Sequence, residues 1–401
     1  MTSEANRITT HRIPSAVWAL GCVSLLMDVS SEMIHSLLPV FLVSGLGASA
    51  LTLGLIEGAG EATGLVVRAF SGALSDFWGR RKPLAVLGYG LGALSKPLFA
   101  LATGAGLVLL ARVVDRVGKG IRGAPRDALV VDVTPPTVRG AAFGLRQALD
   151  TVGAFLGPAL ALGLMLLWAD DFRAVFAVAI VPGVAAVALL AIAVREPGPA
   201  RPAGGRRRLR WRDLGRLPAA YWWVVVIGAA FGLARFSEAF LVLRARDAGL
   251  ALAWTPLVLI AMNAVYALAA YPAGRLADRV SHARLLALGL VVLLAADALL
   301  ALSPGGGSVW GGIGLWGLHM GLTQGLLAAM VADTAPAELR GTAYGFFNLL
   351  SGLALLVASG LAGLVWDWFG PSRTFVVGAG FGLVTLLALL ARGRDMRSLG
   401  A

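Results

Sequence analysis

Ionisable side chains occur inside stretches of the sequence that are otherwise apolar. Eight of them are acids: Asp28, Glu32, Glu57, Glu61, Asp115, Asp150, Glu238 and Asp297. Eight are bases: Arg68, Lys96, Arg112, Arg116, Lys119, Arg122, Arg146 and Arg235. A charge at the centre of a bilayer costs about 2.5 to 3.5 kcal/mol on insertion scales, so in a membrane these groups must pair or face water. Thirteen of the sixteen precede residue 200, so the first half of the chain should hold most of the chemistry.

Helical spacing would bring several of these groups together. Asp28 and Glu32 are four residues apart, and so are Glu57 and Glu61, so each pair would share one face of a helix. A third stretch repeats basic residues with one acid at the helical period, namely Arg112, Asp115, Arg116, Lys119, Arg122 and Arg126. We expect this basic stripe to face protein or a water-filled cavity and never lipid.

Buried acids beside an arginine are suited to proton binding. Burial disfavours the charged form of a carboxyl group, whereas a nearby arginine favours it, so other ligands can switch its protonation. We hypothesise that Asp28, Glu32 and Glu61 bind protons or a cationic substrate, and that Arg112 resets them. The alternative is a static network of ion pairs that holds the helices together, and it applies most to Glu57, nearer the outer end of its helix.

Polar residues in the second half could line the same cavity. Arg235 and Glu238 lie three residues apart, so they could equally neutralise each other. Further polar candidates are His319, Gln324, Asn263, Tyr266 and Asn348. Each of these could instead form a hydrogen bond between packed helices.

The composition predicts that membrane-spanning helices position these residues. Of the 401 residues, 58% are hydrophobic and only 14% are charged, against about 25% charged in soluble domains. A spanning helix needs about 20 apolar residues. Twelve stretches are long enough, at roughly 15–44, 50–75, 83–103, 105–130, 141–168, 172–194, 219–244, 253–276, 283–303, 309–332, 342–366 and 372–391. We therefore predict an all-α membrane protein with twelve transmembrane helices.

The net charge of +12 is explained by the side of the membrane on which the basic residues lie. With both termini in the cytoplasm, 22 of the 34 Lys and Arg residues are on the inner side and four on the outer side. This bias predicts a multi-pass protein of the cell inner (plasma) membrane with both termini cytoplasmic. It also removes the need for nucleic-acid binding. The first apolar run is too long for a cleaved signal peptide, so we expect it to remain as a span.

The chain contains an internal repeat with a period near 201 residues. Six residues between Asp132 and Gly144 recur, each shifted by 201, between Asp333 and Gly345. Two copies of six spans have the same orientation, which is the parallel-repeat arrangement of one class of transporters. We predict six-helix bundles at 1–194 and 218–401 around a central cavity, joined by a basic cytoplasmic linker at 195–217.

The segment Gly72–Lys82, GALSDFWGRRK, resembles the G-x-L-x-D-R-x-G-R-R/K loop of the major facilitator superfamily. Phe77 replaces the usual arginine, and Gly274–Arg279 resembles a degenerate second copy. The resemblance implies a transporter whose two halves rock about a central site. The predicted gating residues are Gly72, Asp76, Gly79, Arg80, Arg81, Gly274, Asp278, Arg279, Arg139 and Arg340.

The two aspartates of these loops could hold the inner gate shut. A carboxylate at a helix N-terminus meets unpaired N–H groups, which is worth about 0.3 to 1 kcal/mol. Asp76 and Asp278 end spans 2 and 8, while spans 11 and 5 begin near Arg340 and Arg139, so each aspartate could cap the opposite half. The alternative is that these charges only set the topology.

Two further segments resemble family motifs. Arg112–Gly118 is similar to the R-x-x-D/Q-x-x-G pattern of span 4, whose arginine is implicated in proton transfer. Gly153–Pro158 is similar to the G-x-x-x-G-P core of the antiporter motif, without its following double glycine. Close helix packing explains Gly153, Gly157 and Pro158 nearly as well. The resemblance favours antiport over symport.

We therefore expect a secondary active transporter that exports a drug or metabolite by proton antiport and alternating access. Proton-coupled uptake of a small solute is the first alternative, and a non-transporting membrane sensor is the second. We expect no enzyme activity, no cofactor and no metal, with the proton gradient as the energy source. The expected partners are a small-molecule substrate, protons and the lipid bilayer, without nucleic acid, and the chain is expected to be a monomer.

Overall fold

The computed structural model describes residues 13–78, 80–195, 211–302 and 306–398. Within these ranges one long helix, continuous or broken, lies at each of the twelve predicted stretches. They are α1 (Ser15–Gly45), α2 (Ala50–Trp78), α3 (Arg81–Ala100), α4 (Ala105–Val133), α5 (Arg139–Leu167), α6 (Phe172–Ala193), α7 (Ala219–Asp247), α8 (Pro256–Ala277), α9 (His282–Leu302), α10 (Gly306–Thr334), α11 (Arg340–Phe369) and α12 (Pro371–Ser398). The prediction of an all-α membrane protein is confirmed.

Ten of the described helices are both long enough and apolar enough to cross a membrane. The remaining two, α3 and α4, have 20 and 29 residues, which is sufficient length. They are more polar, because α3 contains Lys96 and α4 contains the basic stripe. The count of twelve spans therefore stays a prediction that depends on whether these two charged helices cross.

Three of the helices are interrupted near their middle. The first helical part of α1 ends at His35, α7 is irregular between Ala234 and Ala239, and α10 turns at Gln324 and Gly325. Gly325 has a φ of +74°, in the left-handed region that favours glycine. Irregular backbone is tolerated at membrane depth only where it is buried in protein or lines a cavity. The interruptions therefore indicate where a cavity lies.

The two halves use the same pairs of neighbouring helices. In the first half α1 packs against α5 and α6, α2 against α4, and α3 against α4 and α6. In the second half α7 packs against α11 and α12, α8 against α10, and α9 against α10 and α12. The halves meet along α2 with α11 and along α5 with α8. The predicted domain boundaries stay a prediction, since residues 196–210 of the linker lie outside the described ranges.

The two sides of the bundle differ in how the halves meet. We call the side on which α1 begins and α12 ends the terminus side. On the opposite side, one buried hydrophobic cluster takes residues from both halves, among them Leu42, Leu53 and Leu243. On the terminus side, Leu20 and Tyr221 belong to separate clusters, one in each half. Among the described residues, the halves are therefore packed together opposite the termini and parted on the terminus side.

Candidate functional site

A cavity of about 620 Å³ lies between the two halves. Its charged lining consists of Glu32, Glu57, Glu61, Arg112, Arg116, Lys119, Arg235 and Glu238. Its other polar side chains are His35, Ser237, Thr323, Gln324, Asn348 and Ser351, and its aromatic ones are Phe231, Phe236 and Phe347. Each of the three interrupted helices contributes residues from its interruption or directly beside it.

The structure brings eight of the twelve predicted binding residues to this cavity. They are Glu32, Glu57, Glu61, Arg112, Arg116, Arg235, Glu238 and Gln324. The other four, Asp28, Asp115, Asp150 and His319, lie off the cavity wall. The acids among these four have basic partners of their own, described below.

Two arginines of α4 hold two glutamates of α2. Arg112 Nη2 lies 2.5 Å from Glu57 Oε2 and 3.5 Å from Glu61 Oε1. Arg116 Nη2 lies 2.7 Å from Glu61 Oε1. Glu57 is buried and Glu61 is partly exposed to the cavity, with 36% of its side chain accessible. Glu61 is thus the member of this ion-pair cluster that water and ligands reach most easily.

Arg112 does not contact the acids of α1 in this conformation. Asp28 Oδ1 lies 3.8 Å from Arg122 Nη2, and Glu32 Oε1 lies 3.7 Å from His35 Nδ1. The direct pairing of Arg112 with Asp28 and Glu32 that the hypothesis implied is therefore absent among the described contacts. His35 stands between Arg112 and Glu32 instead.

His35 is the site residue that the sequence analysis did not select. Its Nε2 is in hydrogen-bond contact with Arg112 Nη1, and it also lies 3.7 Å from Asp115 Oδ2. The available signal was its position, three residues after Glu32 and seven after Asp28, which places all three on one helix face.

Asp115 belongs to a buried ion pair that joins three helices. Its Oδ1 accepts a hydrogen bond from Lys96 Nζ at 2.7 Å, and the same Nζ donates to Ser31 Oγ at 3.0 Å. Lys96 is fully buried and Asp115 is 2% exposed. The pair therefore connects α1, α3 and α4 behind the cavity wall.

Asp150 lies in a second charge cluster nearer the terminus side. Its Oδ2 accepts from Arg146 Nη1 at 2.6 Å and lies 4.0 Å from Arg126 Nη1. Arg122 stands over the ring of Tyr89, with its guanidinium carbon 4.6 Å from the centroid. Asp28 pairs with Arg122 and Asp127 with Arg126, so three acids balance three arginines within the first half and away from the cavity lining.

The interruption of α7 brings the second half to the ion-pair cluster. Ser237 Oγ donates to Glu57 Oε2 at 3.4 Å, which is a hydrogen bond between the two halves. Arg235 Nη2 lies 3.3 Å from Glu238 Oε1, so these two residues pair with each other. Across the cavity, the side chains of Gln324 and Asn348 make no hydrogen bond with described residues and are available to a ligand.

The antiporter-like residues of α5 pack against the acid-bearing face of α1. Gly153, Gly157 and Pro158 are all buried. A Cβ atom at Gly157 would lie 2.7 Å from the Cβ of Glu32, so glycine is needed for the two helices to approach this closely. The segment thus acts by holding α1 in place.

His319 lies in the packed interior of the second half. Its Nδ1 is 2.7 Å from the carbonyl oxygen of Gly289, and its ring lies 5.5 Å from the Phe231 ring. It is fully buried behind the cavity wall. This arrangement is the interhelical hydrogen bond that was the alternative at this position.

Of the predicted aspartate clasp on the terminus side, only the half that involves Asp278 lies in the described part of the chain, and its contact is not made in this conformation. Asp278 is exposed and makes no hydrogen bond or ion pair with any described residue, and Arg139 and Arg340 are exposed as well. Gly274, Arg279 and Arg80 are likewise exposed. Gly79 lies outside the described part of the chain, and so do the burial and contacts of Gly72 and Asp76. The clasp stays a prediction for the conformation in which this side is closed.

Two repeat-related contacts between side chains flank the same loops. Arg81 of α3 pairs with Asp132 at the end of α4. At the positions shifted by 201, His282 Nδ1 of α9 lies 3.1 Å from Asp333 Oδ2 of α10. The two halves therefore make the same contact at repeat-related positions, with arginine in the first half and histidine in the second.

Two relatives that match nearly the whole chain are described as uncharacterised transporters. One, an uncharacterised MFS-type transporter of Methanocaldococcus jannaschii, is 31% identical over 96% of this chain and 97% of its own. Another, from Bacillus subtilis and of the same description, is 24% identical over 93% of this chain and 91% of its own. The multidrug resistance protein MdtH of Photorhabdus laumondii matches at 33% identity over 33% of each chain.

Solved structures of transporters share this fold. The nucleoside transporter NupG aligns with a TM-score of 0.74 at 13% identity, over 94% of this chain and 99% of its own. A POT family transporter in complex with 5-aminolevulinic acid gives 0.78 at 13% identity, over 94% and 96%. The sequence model of the Major Facilitator Superfamily matches residues 20–359 and 243–399. With a matching sequence model along nearly its whole length and a transporter fold, the chain belongs to the major facilitator superfamily.

Proposed function

We propose that this protein exports a small polar molecule, a drug or a metabolite, in exchange for protons. The observation that carries the proposal is the arrangement of Glu57 and Glu61 against Arg112 and Arg116 on the wall of the cavity between the two halves. An acid held by an arginine can release it when a proton arrives. A substrate and a proton can then compete for the same groups, which is the requirement for antiport.

The lining of the cavity supports a polar substrate. Four acids and four bases line it, so their formal charges cancel. Lys119 is exposed to the cavity and has no ion pair or hydrogen bond with a described residue. Together with Gln324 and Asn348 it offers donors and acceptors, while Phe231, Phe236 and Phe347 offer apolar contact. The partial likeness to a multidrug resistance protein is consistent with export.

We further propose the membrane arrangement that the charge bias predicts. The protein lies in the cell inner membrane as a monomer with both termini in the cytoplasm, and it uses the proton gradient without a cofactor. The cavity then opens to the cytoplasm, which is the conformation in which an exporter loads its substrate. Release would follow when the terminus side closes and the opposite side opens.

The proposal is tested in everted membrane vesicles with an acidic lumen. Polar drugs and metabolites are supplied outside, and both their accumulation and the lumenal pH are recorded. Antiport predicts accumulation together with a rise in lumenal pH. In a second set of vesicles, loaded with the same compounds, flux out of the lumen together with protons would establish symport. Absence of flux in both sets with every compound would favour the sensor alternative.

Variants then assign the proton site. Glu61→Gln and Glu32→Gln remove one carboxylate each, and Glu338→Gln, an exposed loop residue, is the matched control. We expect the number of protons released per substrate molecule transported to fall at least tenfold in Glu61→Gln and to stay unchanged in the control. Unchanged coupling in both cavity variants would exclude a proton role for these acids.

A further inference from the structure

His35 occupies the point at which the charges of four helices converge. It is the last residue of the first helical part of α1, and 10% of its side chain is accessible. The charged groups around it are Glu32 on α1, Arg112, Asp115 and Arg116 on α4, Lys96 on α3, and, beyond Arg112, Glu57 and Glu61 on α2. Across the cavity α7 presents Arg235 and Glu238.

The contact with Arg112 determines which ring nitrogen of His35 carries the proton. An arginine guanidinium is always charged and can only donate hydrogen bonds. Because Arg112 Nη1 contacts His35 Nε2, that nitrogen must present its lone pair, and the ring proton is on Nδ1. Nδ1 faces Glu32 Oε1 at 3.7 Å. In this conformation His35 is therefore neutral and accepts a hydrogen bond from Arg112.

We propose that His35 is a proton-accepting residue whose protonation releases Arg112 from its present position and thereby changes the contact between the two halves. This inference rests on the proposed function, since it names the group through which a proton would act. The proton enters from the water of the cavity and binds to Nε2, and no other covalent bond changes.

The consequence for Arg112 follows from charge and from the number of lone pairs. Once Nε2 carries a proton, it has no lone pair for Arg112, and two positive groups face each other. The new Nε2–H gains Asp115 Oδ2 as an acceptor, while Nδ1–H still faces Glu32 Oε1, and each oxygen now lies 3.7 Å from its ring nitrogen. His35 is therefore held by acids in its charged form, and Arg112 is driven away.

Movement of Arg112 reaches the second half through Glu57. Glu57 Oε2 accepts both from Arg112 Nη2 at 2.5 Å and from Ser237 Oγ at 3.4 Å. Ser237 is also tied to α11, because its backbone N–H donates to Ser359 Oγ at 3.2 Å. When Arg112 leaves, the buried Glu57 loses its counter-charge, and its bond across the halves must change. Proton binding at His35 is thus coupled to the relative position of the halves.

The test measures the distance between the halves without a substrate. Spin labels are placed at Thr137→Cys and Glu338→Cys, two exposed terminus-side positions related by the repeat, in a Cys22→Ser background. We expect the ratio of open to closed distances to change roughly tenfold, the effect of a one-unit difference in proton affinity between conformations. The distances are recorded across a series of pH values.

The variants in this test separate His35 from the other histidines. His35→Gln should abolish the pH response, and the control His11→Gln should keep it. A wild-type distance that does not change with pH, or an unchanged response in His35→Gln, overturns the inference. If His35→Gln does not fold, NMR of the wild-type protein shows which ring nitrogen of His35 carries the proton. The ring nitrogen signals are assigned with single variants of the other three histidines. A proton on Nδ1 at high pH supports the inference, and one on Nε2 overturns it.

The inference and the proposed function fail in different ways. If vesicles show no exchange of substrate for protons while the distance still titrates through His35, the proposed function is wrong and the proton switch remains. If exchange occurs with the same pH dependence in His35→Gln, the function stands and the switch is wrong.

Discussion

The carboxylate of Asp367, near the end of α11, accepts a hydrogen bond from the backbone N–H of Ala50, the first residue of α2, at 2.9 Å. Its second oxygen accepts from the N–H of Leu51, also at 2.9 Å. The second half of the protein thereby caps a helix of the first half on the closed side. This is the same chemistry that the sequence predicted for Asp76 and Asp278 on the opposite side.

Replacing Asp367 should open the closed side more often. Loss of a helix cap costs about 0.5 to 2 kcal/mol, and here the cost falls on the closed conformation alone. We expect Asp367→Ala to shift the distribution of spin-label distances toward the conformation with the terminus side closed, by about twofold to thirtyfold. Asp171→Ala is the control, because Asp171 caps α6 of its own half through the N–H groups of Arg173 and Ala174. Equal shifts in the two variants would contradict this latch.

Removing one partner of the buried Lys96–Asp115 pair should destabilise the protein strongly. The remaining charge would be buried without a counter-ion, which costs about 3 to 5 kcal/mol. We expect Lys96→Met to lower the thermal stability in detergent, and the double variant Lys96→Met, Asp115→Leu to recover most of it. A double variant that is less stable than the single one would show that the pair contributes net stability.

Arg112→Lys should lose transport while keeping the fold. A lysine cannot hold Glu57 and Glu61 and also donate to His35 in the planar geometry of a guanidinium. We expect at least tenfold slower substrate exchange with little change in thermal stability. Arg146→Lys is the control, because Arg146 pairs with Asp150 away from the cavity. Equal rates for both variants would exclude a special role for the guanidinium of Arg112.

Gly157→Ala should separate α5 from α1. The added Cβ would lie 2.7 Å from Glu32 Cβ and 2.9 Å from the carbonyl oxygen of Val29, and such overpacking costs about 1 to 3 kcal/mol. Gly163→Ala on the same helix is the control, since its added Cβ meets no atom within 4 Å. Thermal unfolding of both variants checks the prediction, and a stable Gly157→Ala would show that α1 moves freely.

The sequence by itself determined the class of protein, the position of its helices, the repeat and the family. These features are local, because hydropathy and motif spacing are properties of short segments such as Gly72–Lys82. It also placed the chemistry in the first half, since buried charges such as Arg112 and Glu61 are visible in an apolar sequence.

Only the tertiary structure decided which charges meet. Arg112 contacts His35, which is 77 residues away along the chain, and Glu57, which is 55 residues away. Asp115 pairs with Lys96. Such neighbours depend on how each helix is rotated and shifted against the next, which no single segment encodes. The side that is closed, the cap by Asp367 and the interruptions beside the cavity arise in the same way, from the packing of whole helices against one another.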